Sequence, residues 1–245
     1  MATPEVWQSV SRPIAAKPES DLASRGRRVE DERAATLSSA GAATLPLRSR
    51  ILKRAVDLVF SSLALLLLAP VCLVIAIAIK LDSAGPVFYL SQRIGKNGRV
   101  SWCLKFRTMV RDAERRQPGL MHRNERDGVL FKIANDPRVT PVGRFLRKYS
   151  LDELPQFINV LRGEMSVVGP RPPIASEVRE YNRTHLRRLA VMPGITGLWQ
   201  TQARHDPSFD SYVSLDLTYI ENWSLGLDLK IMAHTLGVLM SGSGS

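Results

Sequence analysis

Cysteine is almost absent: the 245 residues hold two, Cys72 and Cys103. That excludes a disulfide framework and a cysteine-based metal site, and it fits a reducing, cytoplasmic setting. Histidine is nearly as scarce, and His122, His185, His205 and His234 are scattered without ligand spacing. There is no Walker A loop, no strand-linked G-x-G-x-x-G, no H-E-x-x-H and no G-x-S-x-G, which removes the nucleotide, zinc and serine-nucleophile chemistry those motifs serve. An Asp-x-Asp pair that could hold a metal is missing too. The first residues lack an apolar core flanked by basic residues, so no signal peptide is expected and the long apolar run further on should stay in the mature protein. Residues 1–47 show no sustained apolar periodicity and are rich in Ala, Ser, Arg and Glu; they are expected to be disordered.

What is present begins with charge. Residues 1–47 carry six basic and six acidic side chains, so the net +11 of the chain falls entirely on residues 48–245. A folded domain with that charge points to an anionic partner: lipid headgroups, nucleic acid or a phosphorylated substrate.

The second feature is Leu58 to Ile79, 22 residues without a charge. As a straight helix it would reach about 33 Å, enough for a hydrocarbon core of about 30 Å. Pro70 lies near its middle and lacks the N–H that an interior helical position donates, so a kink is expected there. Arg48, Arg50, Lys53 and Arg54 precede the segment, and Lys80, Arg93, Lys96, Arg99, Lys105 and Arg107 follow it. Lys and Arg mark cytoplasmic flanks, and here both flanks carry them. A straight span would break that rule at one end, whereas a re-entrant helix broken at Pro70 would satisfy it; both arrangements stay open on these residues alone.

Downstream, Val87 to Leu90 and Val100 to Phe106 read as strands joined around Asn97-Gly98, a good hairpin turn. Thr108 is a candidate cap for a charged helix to about Gln117, and Gly119 to Pro137 reads as loop. Thr140-Pro141 opens a helix reaching about Lys148. Ile174 to Ala190 reads as one basic helix, Pro193 to Gly197 as a tight loop, and Ser208 to Ile220 as a helix. Leu225 to Met240 suits a core helix or one at a membrane interface. The final Ser-Gly repeat is linker-like.

The chemistry centres on Asp152-Glu153. Pro155 belongs in the first turn of a helix ending near Arg162, which places Asp152 at or near the N-cap. Simple capping is the plainer reading. The same position would also keep a carboxylate ionised and attract phosphate; an ionised Asp can attack phosphorus, and an adjacent Glu can hold a divalent metal. Two carboxylates alone repel a phosphate, so cations are required nearby, and Arg144, Arg147 and Lys148 stand just upstream. Arg171 sits between prolines in Gly169-Pro170-Arg171-Pro172-Pro173, a rigid turn that also suits bidentate phosphate binding. Lys105 and Arg107 follow a strand and could face the same site or simply be solvated.

Read in order, Gln92-Arg93-Ile94-Gly95, Lys105-Phe106-Arg107-Thr108-Met109, Ser150-Leu151-Asp152-Glu153-Leu154-Pro155-Gln156, Gly169-Pro170-Arg171-Pro172 and Pro193-Gly194-Ile195-Thr196-Gly197, together with the Pro-broken apolar segment, resemble one family. It is the bacterial sugar transferase family, the monotopic polyprenyl-phosphate phosphoglycosyl transferases, and the resemblance covers about residues 50–240. Residues 1–47, expected to be disordered from their composition, lie outside the resemblance; it implies a mainly α fold with a small β-hairpin, residues 48–82 as a re-entrant membrane helix broken at Pro70 and residues 83–241 as a cytoplasmic α/β catalytic domain. It implies transfer of a sugar-1-phosphate from a UDP-sugar to undecaprenyl phosphate, with UMP released, on the cytoplasmic face of the bacterial inner membrane. Asp152 would be the nucleophile, Glu153 would help hold Mg²⁺, and Lys105, Arg107, Arg147 and Arg171 would bind phosphate groups. The family's break often falls at Ser-Pro, whereas Ala69 precedes Pro70 here. Gly197-Leu198-Trp199-Gln200 and the Leu215 to Lys230 region are similar to members that start exopolysaccharide or capsule synthesis with galactose or glucose. A homodimer is left open. The contrasting reading is a non-catalytic basic protein on a membrane; no paired aromatic and basic surface for nucleic acid is visible.

Overall fold

The computed structural model describes residues 46–125, 133, 135–203 and 208–241. Residues 1–45 of the expected disordered segment, most of the polar stretch around residues 126–134, His205 and residues 242–245 lie outside the described residues, and Leu47 is already helical.

The apolar segment belongs to a longer helix, α1 (Leu47–Asp82), with Pro70 inside it. Thirty-six residues rise about 54 Å. Pro70 does not divide α1 into two elements. Loss of one N–H interrupts a single rung of the ladder, and the chain on both sides keeps its helical bonds. This is the one described helix long and apolar enough to cross a membrane.

Among the less exposed residues of α1, Asp57, Ser61, Ala64, Leu65, Leu68, Cys72, Ile75 and Ile79 share one stripe. Spacings of three and four residues put them on one face. Its first part docks through polar bonds. Lys53 Nζ donates to Asp228 at 2.8 Å and to the Val168 carbonyl at 3.0 Å, and Arg54 donates to the Val160 and Leu161 carbonyls at 2.6 and 3.0 Å. Asp57 accepts from the Val167 N–H and the Ser166 hydroxyl, both at 3.0 Å. Its last part docks through apolar contact, with Ile75 and Ile79 packed against Phe106 and Leu146. The opposite side is bare hydrocarbon: Val59, Leu63, Leu66, Leu67, Leu73, Val74 and Ile77 are all exposed.

The predicted hairpin is present and longer than expected at its first strand. β1 (Phe88–Ile94) pairs antiparallel with β2 (Val100–Phe106), from Phe88 opposite Phe106 to Ile94 opposite Val100. The turn takes positive φ at Asn97 and Gly98, 57° and 74°, the combination that makes Asn-Gly favourable there. Thr108 caps no helix; only α2 (Ala113–Arg116) forms in that stretch. The backbone at Thr108 is instead committed to an extended contact, its carbonyl accepting from Thr140 N at 3.0 Å while Met109 bridges Val139.

α3 (Pro141–Lys148) begins as expected, with the Thr140 hydroxyl accepting from Gly143 N at 3.0 Å. A 3₁₀ turn over Leu151–Glu153 follows, then α4 (Gln156–Arg162). The basic stretch after Ile174 is not one helix but α5 (Ala175–Arg179), α6 (Arg183–Leu186) and a 3₁₀ turn over Arg187–Ala190. Asn182 sets the break: extended itself, it caps α6 by accepting from His185 N at 2.9 Å. Residues 193–197 are likewise not a simple loop. Gly194–Thr196 forms β4, parallel to β3 (Ser166–Val168). At Gly194 a Cβ would sit 2.1 Å from Gly169 N, so only glycine lets these backbones meet.

α7 (Leu198–Gln202), α8 (Phe209–Glu221) and α9 (Leu225–Ser241) complete the described chain. α9 packs on the core along one side and is exposed along another. Ile231 is buried in the main core with Val160, Met165, Val168 and Tyr219, while Leu229 and Leu236 are exposed. The two cysteines are free, as expected.

Candidate active site

Asp152 does not cap α4. Pro155 occupies the N-cap and no side chain bonds the helix start. The carboxylate belongs instead to the 3₁₀ turn, which follows a left-handed residue, Ser150, at φ 53°. A side chain there costs about 1–2 kcal/mol, and the chain reversal it makes carries Asp152 and Glu153 back toward β2. With the capping role gone, the plainer explanation for this Asp is gone as well.

β2 supplies the counter-charge. Asn159, fully buried on α4, accepts from Leu104 N at 2.9 Å and donates to the Trp102 carbonyl at 2.7 Å. These bonds fix the strand against the helix, and Lys105 then reaches Glu153, Nζ to Oε1 2.6 Å. Arg147, on the last turn of α3, is held by the Thr108 hydroxyl at 2.9 Å from its Nε. Burial raises the Asp152 carboxyl above the ordinary aspartate range; Lys105 pulls it down, Glu153 pushes it up again and Arg147 lowers it. Asp152 thus lies in the field of two cations, Lys105 and Arg147.

The cavity around these residues has a volume of about 1080 Å³. Asp152, Glu153, Lys105, Arg107, Arg147 and Arg171 all line it, so every residue singled out for chemistry reaches one space. Their freedom differs. The Arg107 guanidinium donates to the Ala84 and Ser83 carbonyls at 2.6 and 2.7 Å, which ties β2 to the end of α1 more than it presents a phosphate ligand. Arg171 is set by Glu177, 3.3 Å from its Nη1, and by Arg188, which donates to its carbonyl at 3.0 Å. Arg188 is itself buried among Tyr181, Tyr212 and Asp216. Burial pushes the Asp216 carboxyl up to about 6, against the pull of Arg188.

Residues 48–242 match the family model described as bacterial sugar transferase. The chain belongs to the bacterial sugar transferase family. It is 44% identical over 196 residues to galactosyl transferase CpsE of Streptococcus agalactiae, covering 80% of this chain and 43% of that one. It is 44% identical over 197 residues to the exopolysaccharide production protein ExoY of Rhizobium meliloti, with 79% and 87% covered. To undecaprenyl-phosphate galactose phosphotransferase of Salmonella typhimurium it is 40% identical over 204 residues, with 80% and 42% covered. The chain therefore spans most of ExoY but less than half the length of the other two.

Two parts of this family member's site escaped sequence reasoning. Arg93 on β1 lines the cavity, bonded to Ser91 Oγ at 3.0 Å and reaching the Pro172 carbonyl at 3.4 Å. Its signal in the sequence is the Gln92-Arg93-Ile94-Gly95 motif, which carries the resemblance and by itself specifies no chemistry. Asp136 and Arg138 form a closed pair, Oδ2 to Nη2 2.6 Å. Burial alone would raise the Asp136 carboxyl, but the Arg138 guanidinium and N–H hold it below the ordinary range. A lone Asp and Arg two apart in a polar stretch carry no signal that separates them from a solvated turn.

Proposed function

We propose that the chain transfers a hexose-1-phosphate from a UDP-sugar to undecaprenyl phosphate, releasing UMP, as the first membrane step of an exopolysaccharide, capsule or O-antigen-type glycan. The observation that carries this reading is the convergence of Asp152, Glu153, Lys105 and Arg147 in one cavity, with no structural duty found for Asp152 as a cap. The names of relatives support the substrates: one is a UDP-galactose-lipid carrier transferase, another a UDP-glucose:undecaprenyl-phosphate glucose-1-phosphate transferase. Galactose and glucose are the sugars proposed.

In the first half-reaction an Asp152 oxygen attacks the phosphorus bearing the sugar. A P–O bond forms as the bond to the UMP oxygen breaks, and UMP departs with that electron pair. In the second, a phosphate oxygen of the lipid attacks the same phosphorus and Asp152 leaves as carboxylate. Lys105, Arg147 and Arg171 hold the phosphate oxygens and offset the charge that gathers as two anions approach. Glu153 would help hold Mg²⁺, an ion that commonly takes one or two carboxylates beside substrate phosphates; its side chain is 34% exposed and lines the cavity. Bound there, the ion would supply positive charge against the diphosphate.

The membrane arrangement belongs to the same proposal. α1 bends at Pro70, enters the inner leaflet and returns, so that the catalytic domain stays on the cytoplasmic face. Support comes from Lys53 and Ile79, which bracket the apolar segment and dock on the same domain, and from the bare hydrocarbon face between them.

The deciding experiment is incubation with a panel of UDP-sugars and Mg²⁺ in the absence of lipid acceptor. Stoichiometric UMP release with an acid-labile phosphosugar left on the protein is expected, and Asp152→Asn should abolish both. Full turnover by Asp152→Asn would exclude this nucleophile.

A further inference from the structure

Trp199 Nε1 and Gln200 Oε1 are buried without any hydrogen-bond partner. Both residues line the cavity that holds Asp152 and Lys105. Buried polar atoms are almost always paired, and an orphan in a cavity wall is best explained by a partner that arrives with a ligand.

Neither side chain is a loose rotor. The Trp199 ring stands edge-on to Tyr212, with centroids 4.8 Å apart and planes at 83°, and Tyr212 is itself bonded by the buried Arg188. Gln200 folds back over Gly197, its Oε1 only 3.0 Å from where a Cβ on that glycine would lie. Gly197 in turn is pressed against the Gly169 carbonyl, 2.5 Å from that same Cβ position, so the crossing of the two small strands fixes the ledge on which both side chains sit.

The chemistry of the pair is specific. An indole N–H only donates and an amide oxygen only accepts; neither atom answers a phosphate's charge. The cavity already has Arg93, Lys105, Arg147 and Arg171 for anions. In one cavity wall, an N–H and a C=O suit a neutral ligand that offers an acceptor and a donor.

We propose that Trp199 and Gln200 form the neutral recognition edge of the cavity, bonding the uncharged part of the nucleotide-sugar. Two parts of that molecule carry the required chemistry: a hexose hydroxyl, which both accepts and donates, and the uracil edge, where a carbonyl adjoins an N–H. The inference rests on the UDP-sugar reading above and adds to it the residues that read substrate identity.

Trp199→Phe keeps a ring against Tyr212 and removes the N–H, and Gln200→Met keeps the length and removes the acceptor. The full chain with undecaprenyl phosphate is assayed with UDP-galactose, UDP-glucose and other UDP-hexoses, with UMP as inhibitor, and melting temperatures are recorded. Each variant should lose about tenfold in kcat/KM, the scale of one hydrogen bond, while melting at or above the wild-type temperature, because an unpaired buried atom has been deleted. If the partner is the hexose, the preference among sugars shifts and UMP inhibition is unchanged. If it is uracil, UMP inhibition weakens by a similar factor and the sugar preference stays. Kinetics within twofold of wild type in both variants, or losses that track a falling melting temperature, would overturn the proposal. A wild-type chain inert toward every UDP-hexose would bring down the transferase reading and this inference with it, a result distinct from active wild type with unaffected variants.

Discussion

At Asp152 the local electrostatics make a directional prediction. The nucleophile must be ionised, and its carboxyl sits above the ordinary aspartate range because burial and Glu153 outweigh Lys105 and Arg147. UMP release should therefore fall as pH drops through a value higher than the usual aspartate value of about 3.9. Removing the charge that raises it should move this acidic limb down, and removing a charge that lowers it should move the limb up. Glu153→Gln and Lys105→Met are the two variants, and the limb positions from initial rates against pH are the measurement, independent of how much either change lowers the plateau. The same residues show why sequence reasoning saw the pair but mistook its local role. Asp-x-x-Pro points to Pro155 in the first turn with Asp152 at the cap, whereas Pro155 is itself the N-cap, and nothing in that pattern reveals the left-handed Ser150 that precedes the carboxylates.

Elements whose identity rests on neighbours in the chain were legible, and those that depend on distant partners were not. Thr140-Pro141 and Asn97-Gly98 carry their own geometry, and α3 and the hairpin turn appeared where expected. β3 and β4 are three residues each and exist because Gly169 and Gly194 let two backbones touch, a contact between segments 25 positions apart. The capping side chain of Asn182 and the extended contact of Thr108 likewise need a partner that periodicity does not show. A polar clamp at the start of α1 belongs to the same non-local class. Asp228 is 3% exposed and gathers Lys53, Tyr219 and Trp223. Lys53→Met removes the only cation among those three partners and should destabilise by about 3–5 kcal/mol, the cost of stranding a buried charge. Hydrogen exchange should show the loss first in the amides of residues 50–57, with a lowered denaturation midpoint. An unchanged exchange pattern would mean that α1 is held by its apolar contacts alone.

For the molecule as a whole, residues 83–245 carry +8 of the chain's net +11 beside a helix whose outer side is hydrocarbon. Anionic headgroups and acyl chains would be met by adjacent surfaces, and the cavity is lined by Phe60 of α1 and by Met232, Leu236 and Leu239 of α9 as well as by the cations. A substrate with a polyprenyl tail and a phosphate head matches that division. The arrangement makes a simple prediction for topology. Cysteines placed at Arg50 and Ala84 in a Cys72→Ala background, with Cys103 buried, should both react with an impermeant reagent from the cytoplasmic side. Reaction from opposite sides would mean that α1 crosses the bilayer.

The docking stripe of α1 also puts its length under a rotational rule. Asp57 and Ile75 are 18 residues apart, five turns of 3.6, and so are Ser61 and Ile79. The two docked ends therefore share one angular setting, transmitted through the helix between them. Adding one residue between Leu63 and Pro70 turns the far end by about 100° and aims Ile75 and Ile79 away from Phe106 and Leu146, although it lengthens the helix by only about 1.5 Å. Membrane-bound protein with the one-residue insertion should lose transferase activity; retained activity would mean that the docking of the far end is dispensable. The helix is in this sense keyed like a screw thread.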